Sequence, residues 1–231
     1  MLLIVEGPSD ATSLGKLFTL LFDPDKVEIY VVYGDITADH KITPANILNH
    51  IGSMVKEYIS TYHIQRSDVA MVIQITDTDG VFIPDQYIID DKAVQGIRYE
   101  QEGIHTASPD DVSLRNERKR AAINKLISTP TIMGIRYSLY YMSCNLEHVL
   151  HGEMNCDDQR KKDLALDFVL RYEDDLPGFI DLLRRYLPTA ADGYTSSWNL
   201  IKGGTSSLHR FTNLGLCLPD HTTVSNADDG N

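Results

Sequence analysis

The sequence predicts an α/β fold: a mainly parallel four-stranded sheet flanked by helices, followed by a helical C-terminal extension. Three observations carry that expectation. Leu2-Leu3-Ile4-Val5 and Val69-Ala70-Met71-Val72-Ile73-Gln74-Ile75 are nearly continuous apolar runs, suited to strands buried on both faces. Between them Ile47, Leu48, Ile51, Met54, Val55, Tyr58, Ile59 and Tyr62 recur at helical spacing. Strand and helix patterns alternate up to Ile75, the pattern of parallel βαβ units.

The elements follow in order. After the first strand, the turn Gly7-Pro8-Ser9 opens a helix carrying Ala11, Leu14, Leu17, Phe18 and Leu21, which Asp23-Pro24-Asp25 breaks. Val27 to Val32 reads as the second strand. Thr43 and Pro44 form an N-cap and first-turn pair for the long apolar stripe. The third strand runs into Thr76-Asp77-Thr78-Asp79-Gly80. Residues 81–109 read as an inserted excursion. Ser108-Pro109-Asp110-Asp111 starts a helix bearing Val112, Ile123, Leu126 and Ile127. Tyr137 to Met142 is a fourth strand, and Asn145 to His151 a short helix. Two helices are expected from Asp157 to Leu187, broken at Asp175-Leu176-Pro177-Gly178. Ser196 to Leu218 fits no pattern, and the tail Asn226 to Asn231 is expected to fray. The division expected is a catalytic domain over 1–152 and a mostly helical extension over 153–231.

Composition narrows the function. The chain has 231 residues, 42% hydrophobic and 23% charged, which suits a folded globular protein. No apolar run reaches ~18 residues, and no basic region precedes the first apolar run, so neither a membrane span nor a signal peptide is expected. Three cysteines without CxxC spacing argue against a disulfide scaffold or zinc site and for a reducing, cytoplasmic compartment. The formal charge of −12 repels nucleic acid unless cations or a local basic face compensate.

The chemistry lies in acids at strand ends. The first strand ends in Glu6-Gly7 and the third in Asp77-Thr78-Asp79-Gly80. In an open parallel sheet the strand C-termini share one edge, where ligands bind. Glu6, Asp77 and Asp79 therefore meet there despite their separation in sequence. Their mutual repulsion is relieved by a hard divalent cation with oxygen ligands, and Mg²⁺ fits best. In extended geometry Asp77 and Asp79 point to one side, so both reach one ion. Asp10, four residues after Glu6, reaches the same edge and would hold a second ion.

Leu3-Ile4-Val5-Glu6-Gly7-Pro8-Ser9-Asp10 and Ile73-Gln74-Ile75-Thr76-Asp77-Thr78-Asp79-Gly80 resemble the two signature motifs of the TOPRIM domain. That domain is shared by topoisomerases of types IA and II, bacterial primases, recombination-repair proteins and OLD-family nucleases. The resemblance covers roughly residues 1–150. It implies that Glu6 acts as general acid/base or metal ligand and that Asp77 and Asp79 bind Mg²⁺ or Mn²⁺. Asp10 matches an acidic position of OLD-type nucleases. Met142 to Leu150 is similar to the strand-to-helix junction of small OLD/RloB-like TOPRIM proteins, which are associated with bacterial defence against phage. That similarity implies a place near the metal edge for Glu147. The chain has no room for strand-passage domains, and it shows no primase zinc module and no Walker A sequence. An OLD-type ATPase would have to be a separate polypeptide.

Arg115, Arg118, Lys119 and Arg120 lie on one predicted helix, either a solvated face or a phosphate-tracking stripe. Arg160, Lys161 and Lys162 begin another. Lys202-Gly203-Gly204-Thr205-Ser206-Ser207 is a glycine-hydroxyl turn that holds a phosphate or is simply structural. None of the eight histidines shows HExxH spacing, although His148 and His151 fall near the site. The reading is a Mg²⁺- or Mn²⁺-dependent nuclease that hydrolyses DNA or RNA. Its expected partners are nucleic acid, a partner ATPase subunit and a second copy of the chain, with no membrane. The alternative is a TOPRIM scaffold that docks a partner ATPase or regulator and turns over little by itself; a primase-like transferase is a third reading.

Overall fold

The computed structural model describes residues 1–22, 28–31, 36–37 and 39–218, with backbone alone at 28–31. The expected break at Asp23-Pro24-Asp25 and the terminal tail lie outside these residues. The chain runs β1 (Leu2–Val5), α1 (Pro8–Leu21), β2 (Glu28–Val31), α2 (Ile47–Thr61), β3 (Met71–Asp77), β4 (Ile88–Asp90), β5 (Ile97–Glu100) and β6 (Gly103–Thr106). It continues through α3 (Pro109–Ile127), β7 (Thr131–Ile132), β8 (Ile135–Met142), α4 (Leu146–His151), α5 (Asp158–Tyr172), α6 (Leu176–Arg185) and α7 (Tyr194–Ile201). Among the described residues no helix is long and apolar enough to cross a membrane.

The main sheet has five strands in the order β2-β1-β3-β8-β7. The first four are parallel, and β7 pairs antiparallel with β8. The sheet is therefore mixed, one strand wider than the sequence suggests. The added strand is a two-residue hairpin arm turning through Met133 and Gly134, both at positive φ (53° and 75°). So short an arm leaves no periodicity to read. The excursion at 81–109 contains a separate small sheet, β4-β6-β5. Helix α2 begins at Ile47 with Asn46 as its N-cap, not at Thr43. Thr43 instead starts a preceding turn, its carbonyl accepting from the N–H groups of Asn46 and Ile47.

Side-chain alternation sends successive residues to opposite faces of the sheet. Leu2, Ile4, Val72, Tyr137 and Leu139 pack under α2, α3 and α7, against Ile51, Val55, Ile123 and Trp198. Leu3, Val5, Ile73, Ile75 and Met142 pack the other way, against Leu14, Leu17 and Phe18 of α1 and against α4, α5 and α6. Phe168 and Phe179, from the C-terminal helices, share this second core with Phe18. A third cluster of Ile83, Ile104, Val112, Cys144 and Leu208 ties the small sheet to α3 and the C-terminal segment. Ser196 to Leu218, unassigned from sequence, supplies most of α7 and two short 3₁₀ turns, Ser206–Leu208 and Leu214–Cys217.

Candidate functional site

Parallel pairing puts the C-terminal ends of β1, β3 and β8 at one edge, since Asp77 lies opposite Met142. Glu6 leaves β1 there, and its Oε1 accepts a 2.6 Å bond from the hydroxyl of buried Thr76. Asp10 sits in the first turn of α1, where its Oδ2 accepts from the Gly7 N–H at 2.9 Å. That bond closes the turn and aims the carboxyl back toward the strand ends. Asp77 is the last residue of β3. Glu147, buried on the first turn of α4, arrives through the Ser143–Asn145 connection, with Asn145 Oδ1 capping α4 at the His148 N–H.

The charges of these carboxyls act on one another. Burial, then the charges of Asp10, Glu6 and Asp79, push Asp77 well above the ordinary carboxylate range, and Lys119 only partly offsets them. Asp10 is raised to about 6, first by burial and then by Glu147, against the opposing Gly7 N–H and Lys161. Lys161, on α5, has its Nζ 3.7 Å from Glu147 Oε2. Burial works against its charge, but Glu147, Asp77, Asp10 and Asp79 together outweigh burial and raise its pKa.

Asp79 departs from the extended geometry expected of an Asp-x-Asp pair. The strand ends at Asp77, and Asp79 has φ 48°, in the left-handed region that Asp tolerates better than most residues. Its N–H donates to the Cys144 carbonyl at 2.7 Å, and its carbonyl accepts from Arg115 Nη2 at 2.9 Å. Its Oδ2 is 2.6 Å from Lys119 Nζ, and its Oδ1 accepts from the Tyr99 hydroxyl at 3.4 Å. Gly80 follows at φ 67°, where a Cβ would stand 2.5 Å from Leu208 Cδ2. Only glycine satisfies both demands there.

The four cations read as either a solvated face or a phosphate-tracking stripe do not share one environment. Lys119 is fully buried against Asp79, and Arg115 also bonds the Tyr99 hydroxyl at 2.9 Å. Arg118 is exposed, and Arg120 is half-buried. Lys202 lies with its Nζ 5.7 Å from the centre of the Phe82 ring. The turn that follows Lys202 braces the site loop, the Ser207 carbonyl accepting from the Thr78 hydroxyl at 2.9 Å. Burial drives His148 down to about 4, so it is neutral, with Nδ1 beside the Ser143 carbonyl at 3.2 Å. His151 stacks edge-on against Phe168. Burial raises the Cys144 thiol, which makes it a poor nucleophile.

Among the described residues no three His, Cys, Asp or Glu side chains are arranged to hold a metal ion. The acids share a field, but several are held by the protein's own groups: Glu6 by Thr76, Asp10 by its turn, Asp79 by Lys119. The oxygen-only donor set of Asp10, Asp77 and Glu147 fits a hard divalent cation in kind. Thr76 and Tyr99 carry no role in the sequence reading, and Lys161 enters it only as one of three basic residues opening a helix. Lys119 carried a signal: it lies seven residues after Val112 and four before Ile123, on the buried stripe of α3.

The raised Asp10 makes a pH prediction. Between about pH 4 and pH 6 the folded protein keeps a proton on Asp10 that the unfolded chain releases. Stability from this group therefore falls as pH rises through that window. His148, depressed to about 4, slopes the opposite way over an overlapping range, so the total profile conceals both. Asp10→Asn isolates the effect. Urea midpoints in chelator should show the variant gaining on wild type from about pH 4 to about pH 6, then levelling; parallel profiles would place Asp10 outside the acidic field.

Comparison with protein-family models, with curated proteins and with solved structures gives no match for this chain.

Proposed function

We propose that the chain is a divalent-metal-dependent nuclease on a TOPRIM-like scaffold, hydrolysing phosphodiester bonds of DNA or RNA. One observation carries the reading: Glu6, Asp10, Asp77 and Glu147 come to the C-terminal edge of the parallel strands, where Asp77 is under the charges of Asp10 and Glu6, Asp10 under that of Glu147, and Lys161 Nζ lies 3.7 Å from Glu147 Oε2. An arrangement that raises acid pKa values by burial and mutual repulsion has no evident use in folding, and it suits cation binding.

Mg²⁺ or Mn²⁺ would have to draw Asp10, Asp77 and Glu147 together, since as they stand no three acids among the described residues are arranged to hold an ion. When bound, the ion supplies Lewis-acid polarisation of the phosphoryl oxygen. The chain's own groups do the rest. Glu6, oriented by the Thr76 hydroxyl, accepts the proton of the attacking water. Lys161, roughly one-third exposed, offers its ammonium to a phosphate oxygen. It also supplies local positive charge that the chain as a whole, at −12, lacks. That same net charge is what favours the docking-scaffold alternative.

The test is a cleavage assay of the purified chain on single- and double-stranded DNA and RNA, with Mg²⁺, Mn²⁺ or chelator. Metal-dependent cleavage is expected. Lys161→Met should weaken substrate binding and lower the log–log salt slope by roughly 0.7–0.9, one lost phosphate contact. No cleavage of any substrate with either metal would overturn the reading.

A further inference from the structure

A cavity of about 330 Å³ lies between the small sheet and the first turns of α3. Its volume falls in the range of small-molecule sites. Gly96, Ile97, Ala107 and Val112 give it apolar walls, and Thr106, Ser108, Asp111 and Arg115 bring polar groups to it. The frame is held before any ligand arrives. The Thr106 hydroxyl accepts from the Ser108 N–H at 3.1 Å, and the Thr106 carbonyl accepts from the Asp91 N–H at 2.9 Å. Asp111 and Arg115 are four residues apart on α3 and so share a face of the helix. They do not pair with each other. The Asp111 carboxylate takes no hydrogen bond or ion pair among the described residues. Arg115 is fixed by other groups: Nε and Nη2 on Asn116 Oδ1 at 3.1 and 2.7 Å, Nη2 also on the Asp79 carbonyl at 2.9 Å, and Nη1 on the Tyr99 hydroxyl at 2.9 Å. One Nη1 hydrogen is left over.

The lining selects by chemistry. An adjoining hollow shares Ala107, Ser108 and Asp111 with the cavity and adds Asp90 and Asp110, against the single cation Lys92. A phosphate therefore meets like charge at the entrance. A neutral, flat group with N–H donors suits both the apolar walls and the Asp111 carboxylate. Arg115 joins the cavity to the site loop, because the Asp79 carbonyl that it holds lies two residues past Asp77. Guanine is the base that presents two adjacent N–H donors beside a carbonyl on its Watson–Crick edge. From this lining we infer that the cavity is a base subsite for an unstacked guanine, whose N–H donors meet Asp111 and whose carbonyl accepts from Arg115 Nη1. This inference rests on the nucleic-acid substrate proposed above. It narrows that substrate to single strands, whose bases are free to splay out.

The experiment titrates the ¹⁵N-labelled full-length chain with guanosine, adenosine, cytidine and uridine in chelator, read by heteronuclear nuclear magnetic resonance. Guanosine should shift the amides of Gly96, Ala107 and Val112 and the Arg115 Nε–H, and uridine should shift none of them. Asp111 is exposed, so Asp111→Asn should fold. It sets an N–H₂ where the base presents a donor, and should weaken guanosine by about tenfold, the loss of a bidentate contact. Ala107→Phe fills the cavity with a ring and should abolish the shifts. Shifts confined to other residues, equal shifts from all four nucleosides, or guanosine binding undiminished in both variants would overturn the inference. Neither metal nor cleavage enters the titration, so its failure is separable from that of the nuclease reading. Guanosine bound as described by a chain that cleaves nothing would support the subsite and overturn the nuclease. Cleavage of single strands by a chain that does not bind guanosine would overturn the subsite alone.

Discussion

Glu6→Gln is expected to cut metal-dependent cleavage by roughly 10²-fold or more, the usual cost of losing a positioned acid/base group. Substrate binding in Mg²⁺ should persist. The substitution keeps the side chain's volume, and the amide oxygen still accepts from the Thr76 hydroxyl that now holds Glu6 at 2.6 Å. What disappears is the ability to take up a proton, together with one negative charge acting on Asp77. Single-turnover rates with saturating enzyme separate the chemical step from binding. A docking module behaves differently: Glu6→Gln would leave partner binding and any in-cell phenotype intact. Full in-cell function of the variant, with no cleavage by wild type either, would sink the catalytic reading.

Phe179→Ala should cost about 3–5 kcal/mol of stability. The ring is fully buried on α6, with ring centres at 6.4 Å from Phe18, 6.0 Å from Phe168 and 6.3 Å from Tyr172. Those neighbours belong to α1 and α5, whose spacing is fixed by the sheet, so the cavity has little room to collapse. Because this core spans residues from Leu3 to Leu218, the loss should move the unfolding of the entire chain. Far-ultraviolet circular dichroism and Trp198 fluorescence should report one common, shifted urea midpoint. Separate transitions, with Trp198 and the N-terminal strands unaffected, would show that α5 and α6 fold as an independent unit.

Much of the scaffold was legible because period and burial coincide in it. Leu2 to Val5 and the core of β3 are buried on both faces and read as apolar runs, broken in β3 only by buried Gln74. The α2 stripe buries Ile47, Ile51, Met54, Val55 and Tyr58 as its spacing suggests. Parallel topology then placed Glu6 and Asp77 at one edge without any knowledge of side-chain conformation. The site's finer structure depends on contacts that sequence spacing does not encode. Lys119 looks like one of four surface cations, yet it is the one turned inward, because α3 must offer Asp79 a partner there. Asp79 leaves the extended conformation through hydrogen bonds made by Cys144 and Arg115, both distant in sequence. Lys161 sits in a run of three basic residues, and only the packing of α5 beside α4 shows that it faces the acids. The β7 arm and the small sheet are too short for a periodic signal.

The Leu208 side chain that presses on Gly80 bears on how the protein is made. Every acid of the site lies within the first 147 residues, yet the turn carrying Asp79 is closed by Leu208 and by the Ser207 carbonyl. Translation delivers those two groups last among the site's parts, some sixty residues after Glu147 has left the ribosome. A nascent chain thus displays the full set of carboxylates before it owns the plug that sets their loop. On the nuclease reading proposed above, the loop that carries Asp79 would stay unfinished until Leu208 has emerged.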